Sequence, residues 1–196
     1  MNHLKGYLNL SQLYKLNFKK LGKNVLIDKN VIIPFPHNIE IGNNVRIDTM
    51  CILSSGIKGN IIIKNNVHIA PFNLIYCADN FKIVLDDHTG LSAGCKLYGK
   101  TGNYDGKYLL NPTHNEKDTE VISGDIILNK FASIGTDSIL LPGSIIPIGT
   151  VLGAKSLYTA KYSLIDWSIY AGIPIKFIKK RNNACELLSI NYKNII

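Results

Sequence analysis

Aliphatic residues recur at every sixth position along much of this chain, and few folds can hold such a pattern. Ile41, Ile47 and Leu53 form one trio, Ile63, Ile69 and Ile75 a second, and Leu85, Leu91 and Leu97 a third. Successive trios start 22 residues apart, at 41, 63 and 85. Leu128, Ile134, Leu140, Ile146, Leu152 and Tyr158 resume the step of six, and Ile27 and Ile33 precede the first trio. A step of six drifts off the face of a helix with about 3.6 residues per turn. Being even, it keeps one face of an extended strand inward. Turn formers stand between the strands: GNN at 42–44, KNN at 64–66, DDH at 86–88 and GTD at 135–137. Three strand-and-corner units make a triangular coil of 18 residues, with four more at one corner of the early coils. Stacked coils form a parallel β-solenoid with an aliphatic interior. A sandwich of short strands would not hold one register through five coils.

The register closes at Leu97 and reopens at Leu128. The stretch between, a loop over 98–125, must leave one corner of an otherwise regular prism. Loops this long inside a compact fold usually carry function. The remaining chain divides into a cap segment over 1–24, the solenoid over 25–181 and a tail over 182–196. SQLYKLNFKKLG at 11–22 is expected to form a short capping helix with Ser11 as N-cap. The tail is expected to pack on a coil or on a neighbouring subunit.

At 196 residues the chain suits one domain with a sizeable core, and 46% hydrophobic against 18% charged residues argues against disorder. No apolar run is long enough to cross a bilayer, and the first twenty residues are too polar for a signal peptide. Cys51, Cys77, Cys95 and Cys185 fit no metal motif and are expected to be reduced and mostly buried, in a cytoplasmic protein. The net charge is +8, from 22 Lys and Arg against 14 Asp and Glu. No recognition helix, zinc finger or aromatic-basic motif accompanies it, so nucleic acid is not the expected partner. The cations thicken at KFIKKR, 176–181, which suits a phosphorylated small molecule.

Three stretches, IEIGNNVRID, IGTDSILLPGSIIPIGTVLGAKSLYT and WSIYAGIPIKFIKKR, resemble the hexapeptide-repeat acyltransferases, and the likeness runs from about Leu21 to Arg181. It implies an all-β, left-handed parallel β-helix, a homotrimer, and acetyl-CoA as acyl donor. KLGKNVLID at 20–28, NVHIA at 66–70, Tyr104 in the loop and NPT at 111–113 are similar to acetyltransferases of bacterial surface-polysaccharide clusters. The reaction so implied is O-acetylation of a sugar hydroxyl on such a polysaccharide or its precursor. A second reading is N-acetylation of a nucleotide-linked amino sugar. It ranks lower because many such enzymes carry an extra N-terminal nucleotide-binding subdomain, for which this chain has no room. A zinc lyase on the same solenoid would need three converging histidines, and a non-catalytic scaffold would need no site at all.

Acyl transfer needs a base for the attacking group, and a neutral imidazole suits that work. Of five histidines, His3 precedes the repeats, His37 follows PFP without evident role, and His88 reads as a solvated corner residue. His68 precedes the inward Ile69, so strand alternation turns it outward, between Arg46 one coil below and Gly90 one coil above. Gly90 leaves room beside the imidazole, near where the long loop is expected to return. His114, inside the loop, is the second candidate, because many relatives keep a catalytic histidine there. Asp105 either orients an imidazole or caps a turn. Asn73 either helps hold the acceptor or is a corner residue, and Tyr104 is carried over by resemblance as an acceptor contact. The resemblance also implies that Thr136, Ala154 and Thr159 admit the pantetheine arm. It sets Lys176 and Lys179 to face the nucleotide phosphates, with Gly172 and Pro174 shaping the turn before them. No metal ligand set is expected.

Overall fold

The computed structural model describes residues 6–190; the expectation for His3 lies outside them, as does the last part of the tail. Each complete coil contributes one strand to each of three sheets, and the end coils contribute fewer. The first face stacks Lys20–Leu21, Ile39–Ile41, Asn60–Ile63, Lys82–Leu85, Ile126–Leu128 and Ile145–Ile146. The second stacks Val25–Ile27, Val45–Ile47, His68–Ile69, Gly90–Leu91, Ser133–Ile134, Val151–Leu152 and Ser168–Ala171, then closes with the antiparallel Lys176–Lys180. The third stacks Ile52–Ser54, Leu74–Tyr76, Lys96–Tyr98, Ile139–Leu140 and Leu157–Tyr158.

The six-residue step is the interior of this prism. Ile41, Ile63, Leu85, Leu128 and Ile146 are consecutive rungs of one column. Ile47, Ile69, Leu91, Ile134 and Leu152 form the second, and Leu53, Ile75, Leu97, Leu140 and Tyr158 the third. All fifteen are buried. One strand shows why alternation matters: Ile61 and Ile63 are 0% and 1% exposed, while Ile62 between them points outward and is only half-buried. Ile63→Ala is therefore expected to cost about 2–5 kcal/mol in urea unfolding, the usual range for a large-to-small core change. Ile62→Ala should cost clearly less.

The corners explain the turn formers. Between the first and second faces the chain turns through a left-handed residue in every coil: Asn24, Asn44, Asn66, His88, Phe131, Gly149 and Trp167 have φ between 51° and 63°. Asparagine tolerates this conformation. The lower corners add an amide ladder, Asn24 Nδ2 to Asn44 Oδ1 and Asn44 Nδ2 to Asn66 Oδ1, each 3.0 Å. Asn43, Asn65 and Asp87 form a second ladder by accepting from the backbone N–H of Lys23, Asn43 and Asn65 one coil below.

The four extra residues of the early coils sit at the corner between the third and first faces, and the long loop expands that same corner. It leaves as an antiparallel hairpin, Lys100–Gly102 against Val121–Ser123. Among the described residues, two short α-helices flank the prism. Helix α1, Leu10–Lys15, closes the lower end and buries Leu13 in the core. Its N-cap is Asn9, not Ser11. Asn9 Oδ1 accepts from Gln12 N–H and Gln12 Oε1 accepts from Asn9 N–H, a reciprocal cap that a serine inside the first turn cannot make. Helix α2 is Ala184–Ile190. No helix among the described residues is long and apolar enough to cross a membrane.

Candidate active site

His68 lies on the second face in an outward column, paired with Arg46 below and Gly90 above, with Ser133 next. The column loses its bulk at Gly90. A Cβ there would meet only Ser133 Oγ, at 3.6 Å, and the backbone is not left-handed, so nothing in the fold demands a glycine. Its effect is a hollow over the imidazole. That hollow opens into a cleft of about 640 Å³, walled on one side by Cys185, Leu188 and Ser189 of α2.

A buried carboxylate stands behind the imidazole. Asp48 Oδ2 lies 2.8 Å from His68 Nε2. Its Oδ1 accepts from Arg46 Nε at 2.7 Å and from the Tyr7 hydroxyl at 2.8 Å. Burial pushes the Asp48 carboxyl up, but the hydrogen bonds from His68, Arg46 and Tyr7 outweigh it and hold the group below its ordinary value. Burial, then the neighbouring carboxylate, pushes the Tyr7 phenol up, which keeps it a donor. An ionised Asp48 can only accept, so the proton of a neutral His68 is held on Nε2. Nδ1 then carries the lone pair, has no partner among the described residues, and belongs to a side chain half open to solvent. The arrangement is an imidazole with a fixed tautomer beside a cleft.

The other expected site residues are dispersed. The loop rises from the corner opposite the second face, so within one chain it does not return beside His68. His114 pairs with Asn111 Nδ2 at 3.3 Å, Tyr104 with Thr101 Oγ1 at 3.1 Å, and Asp105 accepts from Lys107 N–H while approaching its ammonium at 3.3 Å. His88 is not a solvated corner: its ring stacks on Phe131 with centroids 5.0 Å apart. Asn73 is buried, its amide donating to the Ala70 and Ser92 carbonyls. Thr136 and Ala154 are exposed at the corner between the second and third faces, and Lys176 pairs with Ala171 just above. Lys179 pairs with Ile169. Thr159 stands apart past the third face, its hydroxyl buried without a partner among the described residues. Cys51, Cys77 and Cys95 are buried, which pushes each thiol to about 11. Among the described residues no three His, Cys, Asp or Glu side chains converge to hold a metal.

Asp48 ends the stretch IEIGNNVRID but is not among the expected site residues, and neither is Tyr7. Asp48 is reachable from the coil register, one coil beneath His68. Tyr7 precedes the repeats, and nothing in the pattern announces it.

No family model matches the chain. It is 35% identical over 177 residues to a dTDP-4-amino-4,6-dideoxy-D-glucose acyltransferase of Escherichia coli, covering 90% of each sequence. Its structure is similar to AntD, an N-acyltransferase from Bacillus cereus, as solved in a point mutant with dTDP-4-amino-4,6-dideoxyglucose and coenzyme A. There the TM-score is 0.89 and the identity 34%, over 96% of this chain and 97% of that one. AntD with dTDP and 3-hydroxybutyryl-CoA gives a TM-score of 0.87 at 34% identity, over 95% of each chain. With the register, the site and near full-length likeness in agreement, this chain belongs to the hexapeptide-repeat acyltransferases, enzymes built on a left-handed β-helix.

Proposed function

We propose that this chain transfers an acyl group from an acyl-coenzyme A to the amino group of a dTDP-linked amino sugar, with His68 as the base. What carries the reading is the near full-length likeness to N-acyltransferases of such a sugar, joined to an imidazole whose tautomer Asp48 fixes. The preference for a sugar hydroxyl is thereby reversed. It rested on the likeness to surface-polysaccharide acetyltransferases, with the amine reading set lower for want of an extra nucleotide-binding subdomain, yet AntD, matched here over 97% of its length, was solved with the nucleotide sugar bound. A nucleotide carrier needs no added domain on this solenoid.

The chemistry follows from the site. The neutral amine attacks the thioester carbonyl carbon, a C–N bond forms, and the C–S bond breaks as the sulfur leaves with its electron pair. The proton lost by nitrogen passes to His68 Nδ1 and from there to the departing thiolate. Asp48, already ionised, stabilises the imidazolium that forms in between. The donor is acetyl-CoA or a longer acyl-CoA, since AntD was solved with a 3-hydroxybutyryl donor. Lys176, exposed just above the corner that holds Thr136 and Ala154, and Lys179, exposed opposite Ile169 further along the same strand, hold the donor's phosphates as point charges. Lys176→Ala with Lys179→Ala is expected to weaken acyl-CoA binding about tenfold at low salt, with the difference shrinking at high salt. Unchanged affinity in the double variant would make the strand a bystander.

The loop stands opposite the cleft of its own chain, so we read the enzyme as a homotrimer in which a neighbour's loop, with Tyr104, Asp105 and His114, meets the second face. A stable monomer in light scattering would remove that arrangement. The reaction itself is tested by incubating the protein with dTDP-4-amino-4,6-dideoxyglucose and acetyl-CoA or 3-hydroxybutyryl-CoA, then measuring free thiol and the mass of the sugar. Amide formation is expected. Transfer only to sugars lacking an amine would restore the hydroxyl reading.

A further inference from the structure

Above His68 the wall of the cleft changes character. At the corner between the first and second faces the amide ladder gives way to rings. His88 stacks on Phe131, and Phe131 meets Trp167 with centroids 5.8 Å apart. The intervening corner is Gly149, where a Cβ would lie 2.2 Å from the Trp167 ring, so only glycine lets the indole reach down across that coil. Arg181 is seated on this stack, its guanidinium carbon 5.6 Å from the Trp167 ring centre. Its Nη1 donates to the Phe131 carbonyl at 3.0 Å and the Gly149 carbonyl at 2.8 Å, and its own N–H donates to the Trp167 carbonyl at 2.7 Å.

The guanidinium is thus held still without being neutralised. It carries five N–H donors. Two are used on those carbonyls, and Nε and Nη2 have no partner among the described residues. Arg181 pairs with no Asp or Glu among the described residues, and none lines the cleft. Arg46, the other guanidinium there, is compensated by Asp48. A pre-oriented, uncompensated and half-buried arginine in a cleft is a site for a phosphate oxyanion, because its fork matches two oxygens at once and it is weakly hydrated.

We infer that Arg181 binds the diphosphate of the nucleotide carrier while the sugar's amine lies at His68, an inference that rests on the nucleotide-sugar reading above. The spacing suits it. Arg181 bridges the Phe131 and Gly149 coils, two and three rungs above His68. At about 4.8 Å per rung the separation along the axis is about 12 Å. A hexopyranosyl diphosphate is a ligand of that reach. The hollow at Gly90 and Ser133 would take the sugar ring between the two ends.

Calorimetry with dTDP alone, and steady-state kinetics varying each substrate, test this on Arg181→Gln and Arg181→Lys. In Arg181→Gln the dTDP Kd and the acceptor KM should both rise about tenfold to a hundredfold, the range for losing hydrogen bonds to a charged group. The acyl-CoA KM should stay unchanged. Arg181→Lys keeps the charge without the fork, so it should lose less; it also serves if the glutamine variant fails to fold. A rise in the acyl-CoA KM with dTDP binding intact would assign Arg181 to the donor and overturn the inference. So would unchanged constants for both substrates. Wild-type protein that binds dTDP but acylates no amino sugar would sink the proposed reaction and leave Arg181 standing. Wild-type protein that acylates another acceptor and binds no dTDP would sink the inference.

Discussion

His68→Ala is expected to lower kcat about 10²–10⁴-fold, the usual worth of a general base. Acyl-CoA affinity should not change, because the imidazole acts on the acceptor's proton and not on the donor's phosphates. The expectation rests on Nδ1. Nε2 is committed to Asp48 at 2.8 Å, and the free nitrogen belongs to the half-exposed side chain below the hollow at Gly90. His114→Ala separates the two candidates of the sequence. If it abolishes turnover while His68→Ala stays active, the base comes from a loop.

Asp48→Asn is expected to be nearly as damaging, about 10²–10⁴-fold in kcat, although asparagine has almost the same shape. Arg46 Nε can only donate, so it claims the remaining carbonyl oxygen. The new Nδ2 then faces His68 Nε2 and donates to it, which drives the imidazole proton to Nδ1 and removes the lone pair where it is needed. In the proposed reaction Asp48 is a positioning residue, and stability against pH gives a separate readout. Its folded-state pKa is depressed, so its contribution is fully present above the unfolded carboxyl value of about 4 and is lost as pH falls through the lower folded value. Wild type should therefore lose stability below about pH 5 more steeply than Asp48→Asn. Parallel acid unfolding curves would mean that the hydrogen bonds around Asp48 do not hold it ionised.

The step of six was enough to reach the solenoid, its three inward columns, the outward direction of His68 and the corner from which the loop departs. All of these are local consequences of strand alternation, in which each residue's side is set by its own neighbours in the chain. The identity of the capping residue was not so readable. Asn9 and Ser11 are both good N-caps, and the choice depends on where Leu13 must enter the core. Likewise, Asn73 was compatible with a corner or a site until the closing of the coil buried it.

The candidate constellation belongs to the tertiary structure. Tyr7, Arg46, Asp48 and His68 come from the cap and two coils, and they meet because rungs stack directly over one another. Arg181 enters the cleft only because the last strand turns back along the second face and Trp167 lies across Gly149. A periodic sequence specifies which way each side chain points from its strand. Which side chains then become neighbours is decided by coil stacking and by the path of the two non-repeating ends, and neither is written in the period.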